Sequence, residues 1–403
     1  MDSLSEIIAF AQHHHDDEPL KLLLQQQRFP TVDLRLVAQQ LEGQRQASAK
    51  WPTFARCADY FYPPRLNREQ SSSEATALYK AQLFRSLGCH TFADLTGGMG
   101  VDAFFLSQQA LQGDYFELHA DLFALTQRNL QLLGASNLAC HQCDSLAYLQ
   151  SHPACYDLIF IDPARRNSQG RKVAAFEDCT PNLLDNLPLL RSHCRHLLVK
   201  ASPMIALQQA LLQLGSVDGV HIVALNNECK EVLFLLPGAH PAPTPLPDPT
   251  IHCIHLGTNG PADFCFRPQE EAEAVATYAS EVGTYLYEPH AALMKGGAYN
   301  LVSSRLGLDK LARNTHLYTS CRLLADFPGR TFRVLQPVPL NAKKIAPLLP
   351  DRKAHVVTRN YPMAAAELQK KLKLTEGGSL FIIAATLGRT PAGWLCEEIK
   401  TTP

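Results

Sequence analysis

Thr91-Phe92-Ala93-Asp94-Leu95-Thr96-Gly97-Gly98-Met99-Gly100-Val101-Asp102 is the stretch that decides the fold. An apolar strand runs into a glycine-rich turn, and the turn opens a helix near Asp102. Gly98 and Gly100 carry no Cβ, so the backbone can turn sharply there and a ligand can lie against it. The unpaired N–H groups of the following helix's first turn would face that ligand. A strand–turn–helix unit of this kind is the usual nucleotide cradle of a doubly wound α/β sheet.

Two cofactors fit the turn. Gly98, Gly100 and Ala103 satisfy G-x-G-x-x-G/A, and Glu117 lies near the distance expected of a ribose-binding acid. Asp94-x-Thr96-x-Gly98-x-Gly100 equally resembles the D-x-G-x-G-x-G signature of S-adenosylmethionine (SAM) methyltransferases, with Thr96 in place of the first glycine. Asp94 favours SAM. A carboxylate at the strand's end can meet the methionine ammonium, whereas it would repel a pyrophosphate. A tight turn without a ligand is the plain alternative.

Downstream, strands and helices alternate. Strands are expected over Asp114 to Leu118, Asn137 to Cys143, Tyr156 to Ile161 and His196 to Lys200, with a helix from Asp121 to Leu133 stopped by Gly134. The near-continuous apolar run Tyr156 to Ile161 reads as a central parallel strand. Helices should begin near Pro181 and at Ser202-Pro203, with Ser202 as N-cap. His221 to Leu225 and Glu231 to Leu236 are separated only by Asn226 to Lys230. A parallel crossover needs a dozen residues or more, so this pair is antiparallel. Five parallel strands and a terminal hairpin favour SAM over a nicotinamide carrier.

Upstream, residues 1 to about 85 read as mostly helical: Ile7, Ile8 and Phe10 precede Leu20, Leu22, Leu23 and Leu24, and Leu34, Leu36, Val37 and Leu41 recur at helical intervals. Ser71-Ser72-Ser73 supplies an N-cap to a helix beginning at Glu74. His13-His14-His15-Asp16-Asp17 reads as a polar loop rather than a metal site, since no further ligand follows at metal spacing. Cys140-His141-Gln142-Cys143 lacks a partner pair, so both cysteines read as core residues and no metal is expected. The 12 cysteines follow no framework, which suits reduced thiols and a cytoplasmic protein. The N-terminus lacks the basic and apolar regions of a signal peptide, and no apolar run approaches a membrane span.

Pro241 to Pro249 alternates proline and reads as an extended linker of ~28 Å. Beyond it, strands are expected over Ile251 to Phe266, Thr331 to Leu335 and Ser379 to Thr386. Helices are expected over Glu271 to Ala279, Ala291 to Arg305 (interrupted at Gly296-Gly297) and Tyr361 to Leu372. The net charge of −1 is unevenly spread. From Thr331 to Pro403, 11 Lys+Arg face 5 Asp+Glu, so this segment carries +6 and the rest −7. A basic module on an acidic body is a candidate polyanion surface.

The chain as a whole resembles the bacterial class I SAM-dependent methyltransferases with a ferredoxin-like domain and a C-terminal THUMP-like domain. The matching residues are Tyr62-Pro63-Pro64-Arg65-Leu66, Glu69 to Glu74, Asp94 to Asp102, Phe160 to Arg166 and Lys200 to Met204. They continue through Tyr287 to Lys295, Leu317 to Ser320, Asp326 to Arg330 and Thr358 to Pro362. The resemblance implies an α/β fold: a Rossmann-like seven-stranded sheet, a helical N-terminal region and two small α+β C-terminal modules. The expected division is 1–85 helical, 86–240 methyltransferase, 250–326 ferredoxin-like and 327–403 THUMP-like. THUMP domains elsewhere help dock tRNA and related RNAs, so the resemblance implies an RNA partner.

Within that frame each site residue has a task. Asp94, Thr96, Gly98 and Gly100 form the cofactor turn, Glu117 accepts from both ribose hydroxyls, and Asp144 accepts from the adenine amine, with Ser145 capping the next helix. An N-cap is the plain alternative for Asp144. Asp162-Pro163-Ala164-Arg165 resembles the [D/N]-P-P-[Y/F] of amino-methyltransferases, in which the acid and a backbone carbonyl take hydrogen bonds from the target amine. Ala164 and Arg165 depart from that pattern, although arginine can still stack on a base or contact phosphate. D-P-P-R also occurs in uracil-C5 methyltransferases, but the cysteine that chemistry needs is missing from Lys200-Ala201-Ser202-Pro203. A base nitrogen is therefore the expected acceptor, with Asp162 as orienting base.

Arg352, Lys353, Arg359, Lys370, Lys371 and Lys373 are the candidate RNA contacts. The alternatives are a methyltransferase for a small molecule or a protein, and an RNA-binding protein that retains a SAM fold without turnover.

Overall fold

A computed structural model of the chain describes residues 3–163, 176, 179–239, 248–257 and 260–399. The described strands are β1 (Thr91–Asp94), β2 (Gln112–Glu117), β3 (Leu138–Gln142), β4 (Tyr156–Ile161), β5 (Cys194–Ala201), β6 (Gly219–Leu225), β7 (Glu228–Pro237), β8 (Thr250–Gly257) and β9 (Gly260–Phe266). They continue with β10 (Tyr285–Pro289), β11 (Asp309–Ala312), β12 (Thr315–Ser320), β13 (Gly329–Pro337), β14 (His355–Arg359), β15 (Leu380–Leu387) and β16 (Thr390–Ile399). The chain divides into two compact units, 1–218 with 232–246, and 219–231 with 247–403.

In the first unit the strands lie in the order β3-β2-β1-β4-β5-β7. β1 to β5 are parallel, and β7 is antiparallel to β5. β4 sits inside the sheet with Leu158 to Ile161 all buried, which is why its sequence shows no alternation. Asn226 and Asn227, at φ 53° and 58°, make the two-residue link between β6 and β7. Positive φ at both central residues is what a tight hairpin turn requires.

The N-terminal region is helical as expected. Ile7, Ile8, Ala11, Leu22, Leu34, Val37, Leu41 and Phe61 form one apolar cluster. Ser73 caps the helix Glu74–Ser86, accepting from Thr76 N at 3.3 Å. Two expectations fail locally. Ser202-Pro203 does not start a helix: Ser202 Oγ accepts from Met204 N in a turn, and the helix begins at Leu207. Ser145 does not cap its helix, because Asp144 takes that position and Ser145 Oγ donates to Leu95 O at 2.9 Å.

In the second unit β6 is parallel to β8, and β9 returns antiparallel to β8. The expected helix at Glu271 is short, Pro268–Glu273, and ends before Ala279. A seven-stranded sheet follows in the order β11-β12-β10-β13-β16-β15-β14. β13 pairs with β10 on one side and β16 on the other, so both C-terminal modules share one sheet. Alternate residues of β15 face opposite cores: Phe381, Ile383 and Ala385 join Leu286, Phe332 and Trp394, while Ile382 and Ala384 join Leu368 and Leu372. The sheet curls until its distant strands touch, with Thr315 Oγ1 donating to Thr386 O at 2.9 Å. No described helix is long and apolar enough to cross a membrane. Residues 241–247 of the proline-rich stretch lie outside the described residues.

Candidate active site at the ends of the first two strands

β1 ends in Asp94, which is 1% exposed. Its Oδ1 accepts from Thr96 N at 3.1 Å. Burial, reinforced by the neighbouring Asp102 carboxylate, pushes Asp94 well above the usual carboxylate range, while the Thr96 N–H and Lys200 pull the other way. The turn that follows needs Gly98 at φ 53° and Gly100 at φ 75°, both in the left-handed region. Tyr115 Oη and Thr126 Oγ1 donate to Gly98 O at 2.6 and 2.9 Å, which fixes the turn from β2 and the next helix.

Glu117 closes β2 beside that turn, half-buried. Its Oε2 accepts from Gly98 N at 3.1 Å and its Oε1 from His119 N at 2.8 Å. Each oxygen keeps acceptor capacity, so two ribose hydroxyls can be met without breaking either bond. Space is left on the same side, since a Cβ at Gly98 would meet only Thr96 O within 4 Å, at 3.8 Å. Asp144 is exposed and caps the helix Ser145–Ser151, with both bonds, from Leu146 N and Ala147 N, on Oδ1.

Asp162 follows β4, beside β1. Its N–H donates to Thr96 Oγ1 at 2.7 Å, so the threonine that replaces a glycine of the signature joins the two strand ends. Lys200, 5% exposed on β5, donates from Nζ to Asp162 Oδ2 at 2.5 Å. Pro163 is buried, while Ala164, Arg165 and Arg166 lie outside the described residues.

Sequence reasoning missed this lysine, and it missed a second buried pair behind the turn. Lys80 Nζ lies 3.1 Å from Asp102 Oδ1, and Ser72 Oγ donates to Asp102 Oδ2 at 2.6 Å. The signal was present in the serine run before Glu74, where Ser72 serves Asp102 rather than the helix cap.

The cysteines at 140 and 143 are half-buried, and burial raises both thiols above their ordinary range. The histidines at 14 and 15 pair with Asp17 and Asp16 in an exposed turn. Among the described residues, the group able to hold a metal is His252, Asp263 and Cys265, which includes neither stretch.

Arg352 and Lys353 are exposed just before β14. Lys370 and Lys371 end the helix Ala365–Leu372, Lys373 caps it at φ 56°, and Thr375 N donates to Arg352 O at 2.8 Å. These five cations gather at one end of β14. Arg359 stands at the other end, half-buried and paired with Glu288.

Residues 285–328 match a ferredoxin-like domain and residues 329–398 a THUMP domain-like family. Over its whole length the chain is similar to a candidate methyltransferase from Porphyromonas gingivalis W83 of known crystal structure. The two are 30% identical over 98% of each chain, with a TM-score of 0.84. The chain belongs to the family of that candidate methyltransferase, with a ferredoxin-like and a THUMP-like domain. Other solved methyltransferases are distant. A candidate O-methyltransferase from Klebsiella pneumoniae is 14% identical over 51% of this chain and all of that one, with a TM-score of 0.34. A SAM-dependent methyltransferase from Agrobacterium tumefaciens is 14% identical over 41% of this chain and 63% of that one, with a TM-score of 0.32. No curated protein matches this chain. Within the family frame, the turn at Gly98 and the acids Asp94 and Glu117 occupy the ends of adjacent parallel strands.

Proposed function

We propose that the chain uses SAM to methylate a base nitrogen in structured RNA, tRNA or rRNA, with the THUMP-like module docking the RNA. The observation that carries the SAM reading is the convergence of Asp94, Glu117 and the Gly98 turn at the ends of β1 and β2. The division 1–85, 86–240, 250–326 and 327–403 belongs to the same proposal.

SAM supplies a methyl group on a sulfonium, open to direct displacement. Asp94 would meet the ammonium of its methionine part, Glu117 the ribose hydroxyls, and Asp144 the adenine amine through the oxygen that does not cap the helix. Thr96 holds the Asp162 backbone, and Lys200 occupies Asp162 Oδ2, so Oδ1 is the oxygen offered to the target nitrogen. Asp162 then takes the proton that the nitrogen sheds, with the Pro163 carbonyl as second acceptor. Arg165 would stack on the base or contact its phosphate. The basic end of the second unit, Arg352, Lys353, Lys370, Lys371 and Lys373 with Arg359 beyond, supports an RNA partner through charge.

Calorimetry with SAM and with RNA at two salt concentrations tests both parts. RNA affinity should fall steeply with salt, and an absence of RNA binding at low salt removes the RNA reading. Mass spectrometry of RNA nucleosides from a deletion strain should show one methylated nucleoside missing.

A further inference from the structure

The second unit holds one buried carboxylate between two arginines. Glu288, on β10, is 1% exposed. Arg330 sits opposite it in register on β13 and donates to its Oε2 from Nε at 2.8 Å and from Nη2 at 2.5 Å. Arg359, at the end of β14, brings Nη2 to 2.5 Å from Oε1. One negative charge therefore faces two positive ones, and the surplus rests on side chains still 32% and 39% exposed.

Both arginines have further contacts, and Nη1 of Arg359 donates to Thr358 O at 3.0 Å. Arg330 lies over the rings of Phe332 and Phe381, with centroids at 5.3 and 5.8 Å. The backbone beyond Arg359 is pinned, because Asn360 Nδ2 donates to Thr315 Oγ1 at 3.0 Å and Asn360 O accepts from Thr386 Oγ1. A brace for packing alone would need one arginine on Glu288. The second leaves a fixed positive fork at the surface, and a planar guanidinium with further N–H donors recognises phosphate in two-point fashion.

We propose that Arg330 and Arg359 clamp a phosphodiester of the RNA backbone, with Glu288 as the positioning residue that holds both guanidiniums. This rests on the RNA reading given above. Lys353 lies two residues before β14 and Arg359 ends it, six residues apart and at most roughly 20 Å at the rise of a strand. Phosphate contacts that far apart suit a polynucleotide rather than a free phosphate or a mononucleotide.

The test is fluorescence anisotropy of the full-length protein with labelled total tRNA over a salt series. Variants are R330A, R359A, R359K and the charge-matched control K21A in the N-terminal helices. Each alanine variant leaves Glu288 one arginine, so the fold is retained, and thermal unfolding checks this. R330A and R359A should each bind about tenfold more weakly and lose about 0.7–0.9 from the slope of log affinity against log salt. R359K should keep the slope but not the affinity, since lysine keeps the charge without the fork. K21A should change neither. Full RNA binding with unaltered slope in both alanine variants would overturn the clamp and leave the RNA reading standing. Micromolar binding of inorganic phosphate that both variants abolish, with tRNA affinity unchanged, would overturn it as well. No tRNA binding by the wild-type protein at low salt removes the RNA reading itself, and the clamp with it.

Discussion

Lys200 Nζ stands 2.5 Å from Asp162 Oδ2, joining the ends of adjacent strands β4 and β5. The lysine takes one carboxylate oxygen, and in the proposed reaction the other is left for the substrate amine. K200M should therefore lower kcat for methyl transfer by about 10²-fold, with SAM affinity changed by less than about threefold. Single-turnover rates beside SAM calorimetry separate the two effects. Equal losses in both would point to a role in cofactor binding instead.

Asp94 sets stability against binding. Its folded pKa lies above its unfolded one, so the stability it contributes is fully present below the unfolded carboxylate pKa and is lost as pH rises through the folded value. At pH 8, far above the unfolded carboxylate range, keeping this carboxyl buried costs the fold stability. D94N should unfold at a temperature no lower than wild type at that pH, yet bind SAM at least about tenfold more weakly, having lost a charge-assisted bond. Scanning calorimetry and SAM titration of the same preparation check both halves.

Lys80 and Asp102 form a buried pair whose members depend on each other. Among the described residues, K80M leaves the Asp102 carboxylate the Ser72 hydroxyl. Breaking such a pair typically costs about 3–5 kcal/mol. Urea unfolding should show that loss, and the double variant K80M/D102N should recover part of it. A loss below about 1 kcal/mol in K80M would mean that solvent reaches the pair.

Three histidines of the second unit are held neutral. Burial pushes His221 down to about 3, and His290 and His316 to about 4. A depressed histidine pKa contributes stability that is present above about 6.5 and is lost as pH falls through the folded value. The unfolding temperature should therefore drop between pH 6.5 and pH 4. H290N, which can still cap the helix Ala291–Gly296, should flatten part of that drop.

What the sequence disclosed follows from how local each signal is. The turn at Gly98 and Gly100, the run Tyr156 to Ile161 and the short link at Asn226 and Asn227 are neighbours along the chain, and each appears where its pattern places it. Ser202-Pro203 carries a capping pattern, but Ser202 follows β5 directly and makes a turn there before the helix at Leu207. Lys200 on Asp162, Lys80 on Asp102 and Arg330 on Glu288 join residues 38, 22 and 42 positions apart. Nothing local marks those pairs, so only the folded arrangement reveals them. Arg359 shows the difference well: expected from the sequence as one candidate RNA contact among six, it is also paired with a buried acid.

β13 lies in the THUMP-like match yet is bonded to β10 of the ferredoxin-like match on one flank and to β16 on the other. Severing the chain between residues 328 and 329 would leave β10 with a bare flank in one fragment and β13 with one in the other, and each would recruit foreign strands. Neither module could be grafted into another protein by itself. A transplant that carries one module without its companion should expose a strand edge that the intact sheet keeps paired.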